Sequence, residues 1–279
     1  MTHLLRNAAV CAVLSVLTGC EPFAEHGNGS KTTRAIDVGA YSSIQNSSEI
    51  DVAVTVGEGE SKVALTIDEN LQQLVKVEVR GGVLYVETPA PISYRGEGRV
   101  TVSTPSITGA ALDGSGELTV EGRQLPAALA LRHDGSGSMR ACIDASSLTV
   151  SHDGSGALEV CVPPGSARLS TVDVTRNGSG HVTVRADADS VTVAGSGSGA
   201  ATLEGTANTL FMDVDGSGFV NAQSLVAVDA ELLNSGSGSV NASVSHFAKV
   251  QLYGSGNIEV WGDGALEIED LGSGNVVNH

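Results

Sequence analysis

The tripeptide Gly-Ser-Gly recurs nine times at a regular spacing, with its serines at Ser115, Ser136, Ser155, Ser179, Ser198, Ser217, Ser237, Ser255 and Ser273; one further copy, Gly195-Ser196-Gly197, overlaps the fifth. The spacings are 21, 19, 24, 19, 19, 20, 18 and 18 residues. So regular a recurrence restricts the chain to an architecture of stacked repeats. The third residue after each serine is apolar: Leu118, Met139, Leu158, Val182, Ala201, Val220, Val240, Ile258 and Val276. The fifth repeats the pattern from Val120 to Val260 and breaks only at Asn278, while pairs such as Leu129/Leu131, Leu148/Val150 and Val172/Val174 precede the serine. Apolar residues that keep step at two indicate strands on both sides of the glycines. One such unit cannot bury its inner face, whereas coils stacked at about 4.8 Å share a continuous interior, and nine would extend roughly 40 Å. Propeller blades usually need about 40 residues, so a period near 20 favours an all-β solenoid over a propeller or a flat antiparallel sheet. Composition agrees: 41 % of residues are hydrophobic but only 3 % aromatic, and 35 are glycine, which suits a thin core of Val, Leu, Ile and Ala.

Residues 35–112 alternate in the same way without the tripeptide. Ile50, Val52, Val54 and Val56 form one strand face, and Val63, Leu65 and Ile67 another. Asp68 is placed to cap a single helical turn through Leu74, and Val77 and Val79 through Gly81-Gly82 to Val83 and Tyr85 read as a hairpin. This portion is assigned to N-terminal coils and a cap, because a solenoid exposes an open strand edge at each end. The repeat domain follows at 113–279, and its last coil is expected to present an unpaired edge, inviting end-to-end contact between copies.

The first residues carry a targeting signal: Arg6 is a positive n-region, Ala8 to Leu17 a short apolar run, and Leu17-Thr18-Gly19-Cys20 follows. The run is too short to span a bilayer. The tetrapeptide resembles the lipobox of bacterial lipoproteins, which implies a signal peptide at 1–19, diacylation of the Cys20 thiol and cleavage that makes Cys20 the N-terminus. Residues 20–34 then read as the lipidated cysteine and a flexible tether. Glu21 stands where an Asp would favour inner-membrane retention, so this resemblance implies the outer membrane.

The body of the chain resembles the auto-transporter adhesin head GIN domain family. The resemblance is carried by Ile44 to Val56, the Asp68-Glu69-Asn70 turn with the hairpin after it, Thr101 to Pro105, and Gly-Ser-Gly-Asn-Ile segments such as Gly254 to Ile258. It covers about residues 35–279 and implies a right-handed parallel β-helix in a cell-envelope setting. It implies no catalytic residues and no cofactor.

Several side-chain groups could bear chemistry. Glycines around a serine suggest a phosphate loop, but such loops need a helix N-terminus or a following Lys, and here strands follow. A nucleophilic serine needs an adjacent base, and a serine recurring nine times is better read as a hydroxyl ladder between coils. Two residues before the serines stand Asp113, Asp134, Asp153, Asn177, Ser196, Asp215 and Ser235, forming a polar stripe whose carboxylates either accept turn N–H groups or bridge calcium. The turn reading is preferred, since the nonapeptide of calcium solenoids is missing. His133, His152 and Arg176 share the offset three before their serines. Exposed stacked rings are expected there, and Arg176 would oppose a cation. Cys142 and Cys161 each lie six residues after their serines, hence about 4.8 Å apart in adjacent coils and outside the core, within disulfide range.

With a net charge of −17, the chain repels nucleic acid and anionic headgroups. Three functions fit. The first is an envelope-anchored binding, adhesion or structural module without catalytic activity, whose partners are the membrane through its lipid and a cell-surface glycan or protein. The second is a polysaccharide-active enzyme, argued from fold analogy alone and poorly served by a single tryptophan, Trp261. The third is a cation-binding envelope protein using the aspartate stripe.

Overall fold

The computed structural model describes residues 24–57, 59–124 and 127–279. Alternating apolar residues line one interior on successive parallel strands. Leu118, Met139, Leu158, Val182, Ala201, Val220, Val240, Ile258 and Val276 pair in register as a single column. On the second face Leu129 and Leu131 pair with Leu148 and Val150, which pair in turn with Val172 and Val174. All six are at most 2 % exposed. The molecule is therefore a β-solenoid of parallel coils, as the period demands.

The glycines are fixed by the closeness of the coils. A Cβ on Gly135, Gly154 or Gly178 would collide with the carbonyl oxygen of Gly114, Gly135 or Gly154 in the coil before, and the second glycine of each tripeptide meets the same obstacle. The first regular coil shows the reason by exception. Its corner, Asn46 to Ile50, has no glycine, and the chain beneath it, residues 88–98, takes a longer excursion that includes the short strand Ile92–Ser93.

Stacking order follows chain order only from residue 109 onward. Ser43–Asn46 and Asp51–Val56 lie directly beneath Gly109–Leu112 and Glu117–Gly122, although some 60 residues separate them in sequence. In between, the chain descends to place Val83–Glu87 and Arg99–Thr104 on the far side of that first coil. Antiparallel strands complete this end: Lys62–Asp68 on Arg99–Thr104, Lys31–Ile36 on Lys62–Asp68, and the expected hairpin Lys76–Arg80/Val83–Glu87. Gly81 and Gly82 turn the hairpin at φ 58° and 80°, where side-chain-bearing residues are disfavoured. A short 3-10 turn, Glu69–Leu71, follows Asp68, which makes no side-chain cap bond and is fully buried.

One expectation changes at the N-terminus. Cys20 lies outside the described residues, but the stretch read as a flexible tether through Arg34 contains two strands. Glu25–His26 pairs with Ile92–Ser93, and Lys31–Ile36 covers the edge of Lys62–Asp68. Asn70 Nδ2 donates to His26 O at 2.8 Å and Arg34 Nη2 to Gln72 O at 3.1 Å, holding the segment down. Its polarity reflected exposed side chains, which say nothing about whether the backbone is paired. At the other end, within the described residues, Ala265–Asp270 and Val276–Asn278 are each paired on one side. Ile268 is 49 % exposed although its register partner Val250 is fully buried.

Candidate functional site: the Gly-Ser-Gly edge

Where the two faces meet, the nine tripeptides stack into one edge. The glycines bring coils so close that only the serines project, and all nine are exposed. The edge is held by its backbone: Ser155 N–H donates to Gly135 O at 3.2 Å, Ser237 to Gly216 at 3.1 Å and Ser273 to Gly254 at 3.0 Å. Backbone bonds thus take the role expected of a hydroxyl ladder, leaving the serine hydroxyls facing outward. A shallow trough of about 600 Å³ runs along Ser155, Ser179, Ser198 and Ser217, with His181 and Phe219 at its side. A second, of about 740 Å³, lies nearer the C-terminus beside Tyr253 and Leu271.

The polar stripe borders this edge, and its side chains link coil to coil. Arg132 bridges Asp113 and Asp134 at 2.8 and 2.5 Å, and Gln45 Nε2 donates to Asp113 at 2.5 Å. Asn177 Nδ2 donates to Asp153 at 2.8 Å, Ser196 Oγ to Asn177 at 2.6 Å, and Ser235 Oγ to Asp215 at 3.2 Å. The carboxylates named in the stripe therefore find partners in neighbouring side chains, which replaces the expected capping of turn N–H groups. Among the described residues no cluster of three or more His, Cys, Asp or Glu could hold a metal.

His133 and His152 are the largest correction. Expected at the surface, both are fully buried, as is Arg176 above them. Their odd offset from the serine puts them on the inner face, with the apolar columns. The same column contains Asn46 and Asn234, and three of its polar members share a task. Asn46 Nδ2 donates to Ile50 O at 2.8 Å, Asn234 Nδ2 to Gly238 O at 2.9 Å, and His152 Nε2 lies 3.1 Å from Gly156 O. Each thus ties the inside of its corner to the carbonyl four residues on. Arg176 reaches Gly178 O at 3.4 Å, while its Nε and Nη2 are buried without partners. Burial, followed by the neighbouring His152, pushes the pKa of His133 down to about 4.

Cys142 and Cys161 pair in register with Cα atoms 4.6 Å apart, half-buried, with their sulfurs in bonding contact. The irregular 24-residue spacing corresponds to a loop at Pro163–Ala167, held by Arg123 Nη2 on Pro164 O at 2.7 Å and by Ser166 on the buried Asp144. The sequence reading missed Asp144, although its offset of eight residues from the repeat serine is shared by Asp187 and Asp263.

The family described as "Putative auto-transporter adhesin, head GIN domain" matches residues 40–175 and 164–264. The chain belongs to that family. Among solved structures it is similar to a putative adhesin from Parabacteroides distasonis (21 % identity, TM-score 0.68, covering 92 % of this chain and 100 % of that one). It is also similar to a putative adhesin from Parabacteroides merdae (21 %, 0.66, 92 % and 100 %) and to a putative lipid binding protein from Parabacteroides distasonis (21 %, 0.66, 91 % and 98 %). At that identity the likeness shows the fold alone. No curated protein matches the sequence.

Proposed function

We propose that this protein is a lipid-anchored, non-catalytic binding module of the bacterial cell envelope, held through Cys20 and presenting the Gly-Ser-Gly edge to a cell-surface glycan or protein. The observation that carries the reading is the edge itself: nine exposed hydroxyls on a hydrogen-bonded backbone, bordered by a polar stripe whose side chains are linked in separate runs, such as Asp153 to Asn177 to Ser196. Such a surface offers repeated, identical contacts to an extended ligand. A hydrolytic centre would instead need one serine set apart by a neighbouring base. The adhesin family supports a binding role, and no helix among the described residues is long and apolar enough to cross a membrane. The lipobox at Leu17 to Cys20 supports attachment through a lipid, and Glu21 after it supports the outer membrane as its place. The cation-binding alternative loses ground because Arg132 already occupies the space between Asp113 and Asp134.

Two measurements test the reading. Replacing Cys20 with Ser should move the protein from the membrane to the soluble fraction and abolish acyl labelling; a variant that still labels and pellets refutes the anchor. A glycan and envelope-fraction screen with residues 24–279 should give saturable binding that Ser179→Arg plus Ser198→Arg abolishes. Release of products from a polysaccharide would support the enzymatic alternative instead.

A further inference from the structure

The solenoid buries three stacked nitrogenous side chains in a largely apolar interior. His133, His152 and Arg176 pair in register on consecutive coils, all at 0 % exposure. The two imidazole centroids are 4.8 Å apart, one strand spacing, and neither His133 nitrogen nor His152 Nδ1 has a full hydrogen-bond partner. The guanidinium has space because Gly195 lies next in the column: a Cβ there would stand 2.9 Å from Nη2, and one on Gly218 would stand 2.6 Å from it. Burial lowers the pKa of Arg176, but a guanidinium starts high enough to stay charged. A fixed positive charge therefore already stands one coil from His152 and two from His133.

We propose that this stack is an acid-sensitive joint, at which proton uptake by the buried His133 opens the coils around Ser136, Ser155 and Ser179 while the later coils stay folded. The groups around His133 decide the sign. Below it in the column lies Leu112, which is apolar, and above it lies His152. At its own corner is the Gly137 carbonyl, which favours a protonated ring, as does Asp113 at the border of the edge. Arg132 and Asp134 flank it on either side in sequence, are bridged to each other, and are partly exposed. Desolvation and the His152 ring outweigh the favourable groups, so the folded His133 resists its proton until pH falls to about 4, against an ordinary value of 6.5. Above pH 6.5 the imidazole is neutral both folded and unfolded, and the stack contributes fully. Between 6.5 and about 4 the opened chain binds a proton that the closed one refuses, so stability is lost across that window as pH falls.

Cys142 and Cys161 lie in the first two of these coils, on strands that follow the His133 and His152 corners. A bond between them restrains the separation, so reduction should widen the opening. Native-state hydrogen exchange on the full chain, compared at pH 7 and pH 5 after correction for intrinsic rates, provides the test. Strands Ala128–His133, Ser147–His152 and Leu169–Arg176 should lose at least about tenfold in protection relative to Ala200–Val214. His133→Asn plus His152→Asn should remove the difference, because Asn46 and Asn234 show that asparagine fits this column and donates the corner bond. If the double variant fails to fold, His133→Asn alone should reduce the difference. Unchanged relative protection in the parent protein overturns the proposal, as does an equal loss in a folded asparagine variant.

Discussion

The coils built on Ser136, Ser155 and Ser179 and those built on Ser198 to Ser255 share one edge and one repeat, yet their interiors differ. In the first group the column beneath the corner is His133, His152 and Arg176; in the second it is Gly195, Val214, Asn234 and Leu252. Strands in the first group are five to eight residues long up to Arg176, whereas the second is built from Ala200–Val214, Phe219–Asn234 and Ser239–Leu252, which run through the bend between the faces. Charge divides similarly. Residues 186–279 hold twelve acids and one base, Lys249, while Arg132, Arg140, Arg168, Arg176 and Arg185 gather earlier. The backbone of a solenoid thus fixes where each side chain points and leaves what fills one column free to vary, even to buried nitrogens without partners at His133 and Arg176.

The two groups should respond alike to the change with the largest effect. Gly137→Val in the first group and Gly199→Val in the second each drive a side chain into the carbonyl below, at Gly116 and Gly180. Both should cost about 4 kcal/mol or more and abolish cooperative melting in calorimetry. If one is tolerated, its coils are further apart than described.

Joining Cys142 and Cys161 closes a loop of 19 residues, which in the entropic account is worth roughly 3 kcal/mol, less if the reduced chain stays ordered. Alkylation and mass spectrometry of the native protein should find them as one linked peptide. Cys142→Ser plus Cys161→Ser should lower Tm, with the loss of exchange protection confined to the first group. Two freely alkylated thiols would refute the bond.

The interior column separates the groups by sign. Arg176→Met removes a buried charge with unpaired nitrogens and should raise stability by about 1 kcal/mol or more, as when buried charges are replaced by apolar residues of similar size. Asn234→Leu breaks its bonds to Gly238 O and Gly236 N–H, at 2.9 and 3.1 Å, and should lower stability by about 1–2 kcal/mol. Chemical denaturation of the two variants measures this directly; equal signs would show that the column is not read as described.

The smallest effect is expected on the outer face. Glu159 lies between Arg185 and Arg140, and the hydrogen bond from Arg185, more than any other influence, holds its carboxyl below the usual range. The group is well solvated, so Glu159→Gln should change stability by less than about 1 kcal/mol, and less still at high salt. A larger loss would mean that the ion pairs clamp the coils.

Much of this molecule could be read from its sequence because a parallel solenoid maps offsets in the repeat directly onto positions in space. The offsets of Leu118 to Val276 foretold a buried column, and the equal offsets of Cys142 and Cys161 foretold their contact. The same arithmetic placed His133 and His152 on the inner face, yet their chemistry suggested the surface. Which consideration prevailed was a tertiary matter, since only the structure shows inward carbonyls at Gly156 and Gly238 for such donors and the gap at Gly195 that admits Arg176. The N-terminal end was hidden for a related reason. Without a repeated tripeptide, nothing local indicates that Val83–Glu87 and Arg99–Thr104 fold back beneath Ser43–Val56, or that polar Lys31–Ile36 closes an edge. Periodicity fixes the neighbours of a residue only where each coil rests on the one before it. Where the chain leaves that order, pairing is decided by which open edges remain to be covered, and that depends on the whole fold.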